Sequence, residues 1–166
     1  MALKGKIQEN LKAALFAKNE VELSVLRLLI SAVNAKETEK RTKIWKQKPE
    51  LKTEELIKES QLQDGEILDA VSAEIKKRRE AIELYTRGNR PELADKEKKE
   101  TEILQQYLPE QLSEAEVKKL VKAAVEKVGA KTQKDMGQVM QELMPSVKGK
   151  ADNSLVSKIV KELLTQ

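Results

Sequence analysis

The chain has 166 residues, 36% of them charged, with 32 Lys and Arg against 28 Asp and Glu, for a net charge of +4. It contains neither Cys nor His, which excludes thiolate and imidazole zinc sites, disulfides, cysteine nucleophiles and Ser-His-Asp triads. Phe16, Trp45, Tyr85 and Tyr107 are the only aromatics, too few for the base-stacking sheet of an RRM or OB fold, so any nucleic-acid binding is expected to go through phosphates, sugars and shape.

Met1 to Leu11 alternates charged and apolar residues without a signal-peptide core. No apolar run approaches the ~20 residues that a membrane span needs. The expectation is a soluble, cytoplasmic protein with no membrane association. Ile7, Leu11, Ala14 and Leu15 form a first apolar stripe at helical spacing. Lys18-Asn19-Glu20 interrupts it, with Asn19 as an N-cap and Glu22 placed to complete a capping box. Leu23, Leu26, Leu29, Ile30 and Val33 carry a second stripe, so a helical hairpin is predicted.

The stripe is lost over residues 36–52, where Lys36, Lys40, Arg41, Lys43, Lys46, Lys48 and Lys52 surround Trp45. This segment reads as a basic loop. It is either an RNA-binding arm or a solvated extension whose Trp packs back on the body. Thr53 opens another helix with Glu54 and Glu55 in its first turn, as the helix dipole favours, and Asp64-Gly65 predicts a break or kink.

Ile67, Val71, Ile75, Arg78, Ile82 and Tyr85 then follow at intervals of four, four, three, four and three. Arg78 falls on the apolar face of that helix. A buried Arg needs a carboxylate, expected from a neighbouring helix; Glu97 and Glu100 fall near the buried side of theirs, which either raises a carboxylate pKa or pairs Arg78. Gly88 is a C-cap and Pro91 an N1 residue. The stripe Leu93, Ala94, Glu97, Thr101, Leu104, Tyr107, Leu108 runs to Pro109, which is expected to stop the helix.

The Tyr107-Leu108-Pro109 step divides the chain into an N-terminal helical domain, residues 1–108, and a C-terminal three-helix domain, residues 109–166. In the latter, Ser113 and Glu116 form a capping box flanked by the Leu112–Val117 hydrophobic staple, and Gly129 ends the helix. Thr132 caps a second helix with Met136, Val139, Met140 and Leu143 inward, and its apolar run ends at Pro145. A third begins near Asp152, with Leu155, Val156, Ile159, Val160, Leu163 and Leu164 inward. The predicted fold class is all-α: an N-terminal multi-helix domain followed by a small three-helix bundle.

The chain lacks GxxxxGK[ST], GxGxxG and HExxH, and no pair of carboxylates stands out as an acid/base couple. No catalytic residue, metal ligand or cofactor is assigned. The stretch Val147-Lys148-Gly149-Lys150-Ala151-Asp152 puts cations and an unhindered backbone at a helix start. It reads either as a phosphate contact or as a solvated turn.

Asp135 to Asp152 and the helix after it resemble the YqeY-like family. So do Leu26-Arg27-Leu28-Leu29, Lys77-Arg78-Arg79-Glu80-Ala81-Ile82, Gly88-Asn89-Arg90 and Tyr107-Leu108-Pro109-Glu110-Gln111-Leu112-Ser113. The last ~60 residues also resemble the tail of GatB, the tRNA-binding subunit of glutamine-dependent tRNA amidotransferases. Lys40 to Leu51 is longer and more basic than the usual connection in the family.

The resemblance implies a surface for the tRNA elbow near the D-loop, built from Lys131, Lys134, Gly137, Gln138, Lys148, Gly149, Lys150 and Asn153. The lysines would meet phosphates, Gly137 would permit close approach, and Gln138 and Asn153 would reach sugar or base edges. It also implies an association with carbon–nitrogen ligase chemistry that uses glutamine as amide donor. The ATP site, ammonia channel and amidase serine of that chemistry belong to parts this chain lacks, so no independent catalysis is expected. The alternative is a protein–protein adaptor for an amidotransferase or another tRNA enzyme. In the C-terminal domain ten Lys face eight acids, a net charge of +2, so binding should be weak unless the lysines cluster.

Overall fold

The computed structural model describes residues 2–165. Among these the chain is all-α, with eight α-helices, one short 3₁₀ turn and no strand. It divides into two compact units, Met1–Tyr107 and Leu108–Gln166. No helix among the described residues is long and apolar enough to cross a membrane.

The N-terminal unit holds α1 (Leu3–Phe16), α2 (Glu20–Gln47), α3 (Thr53–Ser60), α4 (Asp64–Arg87) and α5 (Pro91–Gln105). Its apolar centre is Ile7, Val25, Leu26, Leu29, Val33, Ile67, Val71, Ile75 and Leu104, all buried. Asn19 caps α2 by accepting the Glu22 N–H at 3.2 Å. The Glu22 carboxylate returns to the Asn19 side-chain amide at 2.9 Å, not to the backbone, so the predicted capping box is only half formed.

The largest correction concerns the basic loop predicted at 36–52. The helix does not stop where the apolar stripe stops: α2 runs on to Gln47, and only residues 48–52 are non-helical. The buried stripe continues with polar residues that find partners. Glu37 is buried and accepts from Lys4 Nζ at 2.6 Å and from the Leu62 N–H at 3.2 Å. Lys40 reaches Glu66 at 2.9 Å and the Gln61 carbonyl at 3.2 Å, and Arg41 Nε donates to the buried Ser60 Oγ at 3.2 Å. These bonds tie α2 to α1 and to the α3–α4 junction. Trp45 does not pack back on the body but stays 54% exposed.

Two further boundaries differ. Asp64-Gly65 is the first turn of α4 and not a kink inside a helix; the Asp64 carboxylate accepts the Leu3 N–H at 2.9 Å. α5 ends at Gln105, before Pro109. The buried Tyr107 then turns inward, and its hydroxyl accepts from Asn10 Nδ2 at 2.7 Å.

Arg78 is buried on the α4–α5 face, as its place in the stripe predicts. Its guanidinium lies 3.2 Å from Glu74, 3.2 Å from Glu100 and 3.9 Å from Glu97. It acts as an electrostatic pin between the two helices. Gly88 caps α4 with φ −78°, and the left-handed conformation falls instead on Asn89, at φ 53°.

The C-terminal unit holds α6 (Glu114–Val128), α7 (Met136–Val147) and α8 (Asn153–Leu163). Val117, Val121, Ala124, Val139, Leu143, Val147, Val156, Ile159, Val160 and Leu164 form its core, with Leu112 and Met136 against the edge. The Ser113–Glu116 capping box is complete, and Gly129 closes α6 at φ 67°. Thr132 leads into a 3₁₀ turn, Gln133–Asp135, before α7 begins. Pro145 does not end α7 but lies inside it. The proline leaves the carbonyl of Gln141 without its helical donor. Gln141 is exposed to water, and the fully buried Val147 holds the last turn in place.

Candidate nucleic-acid interface

The eight residues singled out from the sequence fall into two groups at opposite ends of α7. Lys131, Lys134, Gly137 and Gln138 surround its start, and all four are exposed. Lys148, Gly149, Lys150 and Asn153 follow its end and lead into α8. The 12 residues of α7 separate the groups by ~18 Å at a rise of 1.5 Å each. A single phosphate cannot meet both.

At the first group the chain makes its own anion contact. The Asp135 carboxylate accepts from the N–H of Lys131 at 3.0 Å, the N–H of Thr132 at 2.9 Å and the Thr132 hydroxyl at 3.1 Å. These donors hold the Asp135 carboxyl below the usual aspartate range, so it is a fixed negative charge beside Lys131 and Lys134. A Cβ added at Gly137 would meet nothing within 4 Å, so this glycine leaves one turn of α7 bare to an approaching surface.

At the second group the backbone is fixed. Gly149 is buried and adopts φ 72°, a conformation that strains any L side chain. Its carbonyl accepts from Gln111 Nε2 at 2.7 Å, and the Lys150 carbonyl accepts the Leu112 N–H at 2.7 Å. The segment before α6 thus clasps the α7–α8 turn. Nothing in the periodicity singled out Gln111. The motif Tyr107 to Ser113 that contains it was the available signal.

The expectation of an open helix N-terminus beside the lysines needs correction. Asp152 is the N-cap of α8, and its carboxylate accepts the Ser154 N–H at 2.7 Å. The helix start therefore already carries an anion. Attraction of a phosphate falls to the lysine side chains. Lys150 is exposed, whereas Lys148 is half-buried and engaged with other groups of the protein. Asn153, the first residue of α8, is exposed. Elsewhere in the unit Lys118 pairs with Glu114 at 2.6 Å and Lys127 with Glu142 at 2.5 Å, which offsets their charge.

Among the described residues there is no group of three or more acidic side chains placed to hold a metal ion. The buried carboxylates Glu37 and Glu100 are both engaged by cations of the protein.

A relative from Pyrenophora tritici-repentis (strain Pt-1C-BFP), named "Altered inheritance of mitochondria protein 41, mitochondrial", is 28% identical over 163 residues, covering 96% of this chain and 79% of the relative. The family model described as Yqey-like protein matches residues 4–164, and the chain accordingly belongs to the YqeY-like family.

Proposed function

We propose that the chain is a non-catalytic RNA-binding module, and that its C-terminal unit contacts the elbow of tRNA near the D-loop. Two lysine groups about 18 Å apart, flanking the two ends of α7, carry this reading. At ~3.4 Å of rise per nucleotide, a ligand that touches both must extend over several nucleotides. That favours a folded RNA surface over a free phosphate or nucleotide. Lys131, Lys134 and Lys150 supply charge, and Lys148 adds to it from a half-buried position. Gly137 leaves room, Gly149 shapes the turn, and Gln138 and Asn153 offer hydrogen bonds. The resemblance of this unit to the GatB tail supports the choice of tRNA. Ligase chemistry with glutamine as amide donor would belong to a partner, and a glutaminase assay of the pure chain should be blank. The reading places the protein in the cytoplasm, which cell fractionation tests.

The self-supplied anions Asp135 and Asp152 make this binding modest, and its few phosphate contacts give it a modest salt slope, ~0.7 to 0.9 per contact. Labelled whole tRNA, a tRNA without its D-arm and an unstructured RNA should be titrated by fluorescence anisotropy at low and near-physiological salt. Binding that persists with salt and falls away on D-arm deletion supports the reading. Lys148→Glu with Lys150→Glu should abolish it with helicity intact. Equal, salt-sensitive binding of all three RNAs, or none, sinks it.

One observation favours the adaptor alternative. Leu15, Phe16, Val21 and Leu28, at the end of α1 and in the first turns of α2, are exposed, with Phe16 85% exposed. Exposed apolar side chains this close in sequence fit a protein partner. That reading predicts that the Lys148/Lys150 variant behaves like the parent chain toward RNA.

A further inference from the structure

The lone tryptophan stands out in the N-terminal unit. Trp is on average a well-buried residue, yet Trp45 is 54% exposed near the end of α2. It sits in a basic stretch: residues 43–52 contain Lys43, Lys46, Lys48 and Lys52 against the single acid Glu50. Lys43, Lys46 and Lys52 are exposed, and among the described residues the one lysine of this group paired with a carboxylate is Lys48, 3.2 Å from Glu59. The one cation–π contact among the described residues lies elsewhere, with Lys6 Nζ 6.0 Å from the centre of the Tyr107 ring.

The helical state of residues 36–47 matters here. A mobile loop would spread these groups, whereas the helix fixes Trp45 on one face with Arg41 and Thr42, one turn before it. Arg41 is itself anchored on Ser60.

We infer that the end of α2 and the turn to α3 form a second RNA contact, in which Trp45 stacks on one unpaired base while Lys46, Lys48 and Lys52 hold the flanking phosphates. Stacking on an aromatic face flanked by cations is the sequence-tolerant mode of single-strand recognition. The charge suits a polyanion, and a protein interface would be poor in lysine at its centre. A membrane surface would need a continuous apolar face, whereas Arg41, Thr42, Lys46 and Lys48 around Trp45 are all polar. The contact lies in a different unit from the tRNA surface proposed above and stands whether or not that surface binds.

Trp45 is the sole tryptophan, so fluorescence excited at the red edge, where Tyr85 and Tyr107 do not absorb, reads this site alone. An unstructured 12-nucleotide RNA should quench it, and a fully paired RNA duplex of equal length should quench it far less. Trp45→Ala should weaken binding of the labelled single strand roughly tenfold. Trp45→Phe should recover most of that loss, with circular dichroism confirming that both variants fold. Lys46→Glu with Lys52→Glu should weaken binding and flatten its salt dependence.

A variant with Lys131, Lys134 and Lys150 all changed to Glu separates the two sites, because quenching by the single strand must survive in it. RNA binding without a fluorescence change, or a Trp45→Ala variant that binds like the parent, overturns the inference. Quenching by phosphatidylserine vesicles but not by RNA overturns it in favour of a membrane. Absence of any RNA binding overturns it together with the tRNA reading.

Discussion

The two units solve the same packing problem with different chemistry. In the C-terminal unit the core side chains of three helices are all apolar. The N-terminal unit buries Glu37, Ser60, Arg78, Glu100 and Thr101 along with its apolar residues. An apolar core is tolerant in detail but needs every helix to carry its own stripe. A core with buried ion pairs lets a helix continue where its stripe ends, provided each charge is met. The cost is fragility, because removing one partner strands the other in a dry place.

The largest effect should come from breaking the best-connected charge. Arg78→Ala leaves Glu74, Glu97 and Glu100 facing one another, and should destabilise the N-terminal unit by about 4 kcal/mol in urea unfolding followed by circular dichroism. Combining Arg78→Met with Glu74→Gln, Glu97→Gln and Glu100→Gln should recover part of the loss. If the single and combined variants are equally unstable, repulsion is not the cause.

Leu143→Ala, in the apolar unit, should cost about 3 kcal/mol through the cavity it leaves. The same measurement should show the loss in the transition of the C-terminal unit.

Glu37→Gln comes next, at about 2 kcal/mol, through loss of charge-assisted bonds to Lys4 and Leu62. Its pH dependence sharpens the contrast between the units. Burial raises the Glu37 carboxyl, but hydrogen bonds from Lys4 and Leu62 and the charges of Lys4 and Arg41 outweigh that and hold it below its ordinary 4.5. A depressed folded value means that folding favours the ionised form. Its contribution is therefore complete above about pH 4.5 and is lost as pH falls through the lower folded value. Glu37→Gln should flatten the acid limb of the stability curve in that window, and an unchanged limb would rule out this carboxylate as its source.

The smallest effect is at Gly129. At φ 67°, with open space around a new Cβ, Gly129→Ala meets only a backbone penalty, about 1 kcal/mol by thermal unfolding.

The same contrast explains what the sequence disclosed. Ser113, Glu116, Gly129 and Asp152 announce the ends of α6 and the start of α8, because caps are local chemistry read from a few adjacent residues. The burial of Arg78 was legible because it replaced one member of an otherwise unbroken stripe. The second half of α2 was not. Glu37, Lys40 and Arg41 look like a solvated run until Lys4, Ser60, Leu62 and Glu66 are brought beside them, and those partners are 19 to 33 residues away. At the candidate interface the lysines were visible as residue types. The ~18 Å between the two groups and the carboxylates beside them are products of the fold.

The clasp between Gln111, Leu112 and the α7–α8 turn has a kinetic and entropic consequence. Leu112 lies outside every helix, yet its amide is bonded to Lys150 at 2.7 Å and should exchange with deuterium as slowly as a helical amide of the same unit. The turn carrying Lys148 and Lys150 is therefore ordered before any ligand arrives. Whatever it meets has only side-chain rotamers left to freeze, so a weakly charged surface can still dwell on its target longer than its net charge of +2 suggests.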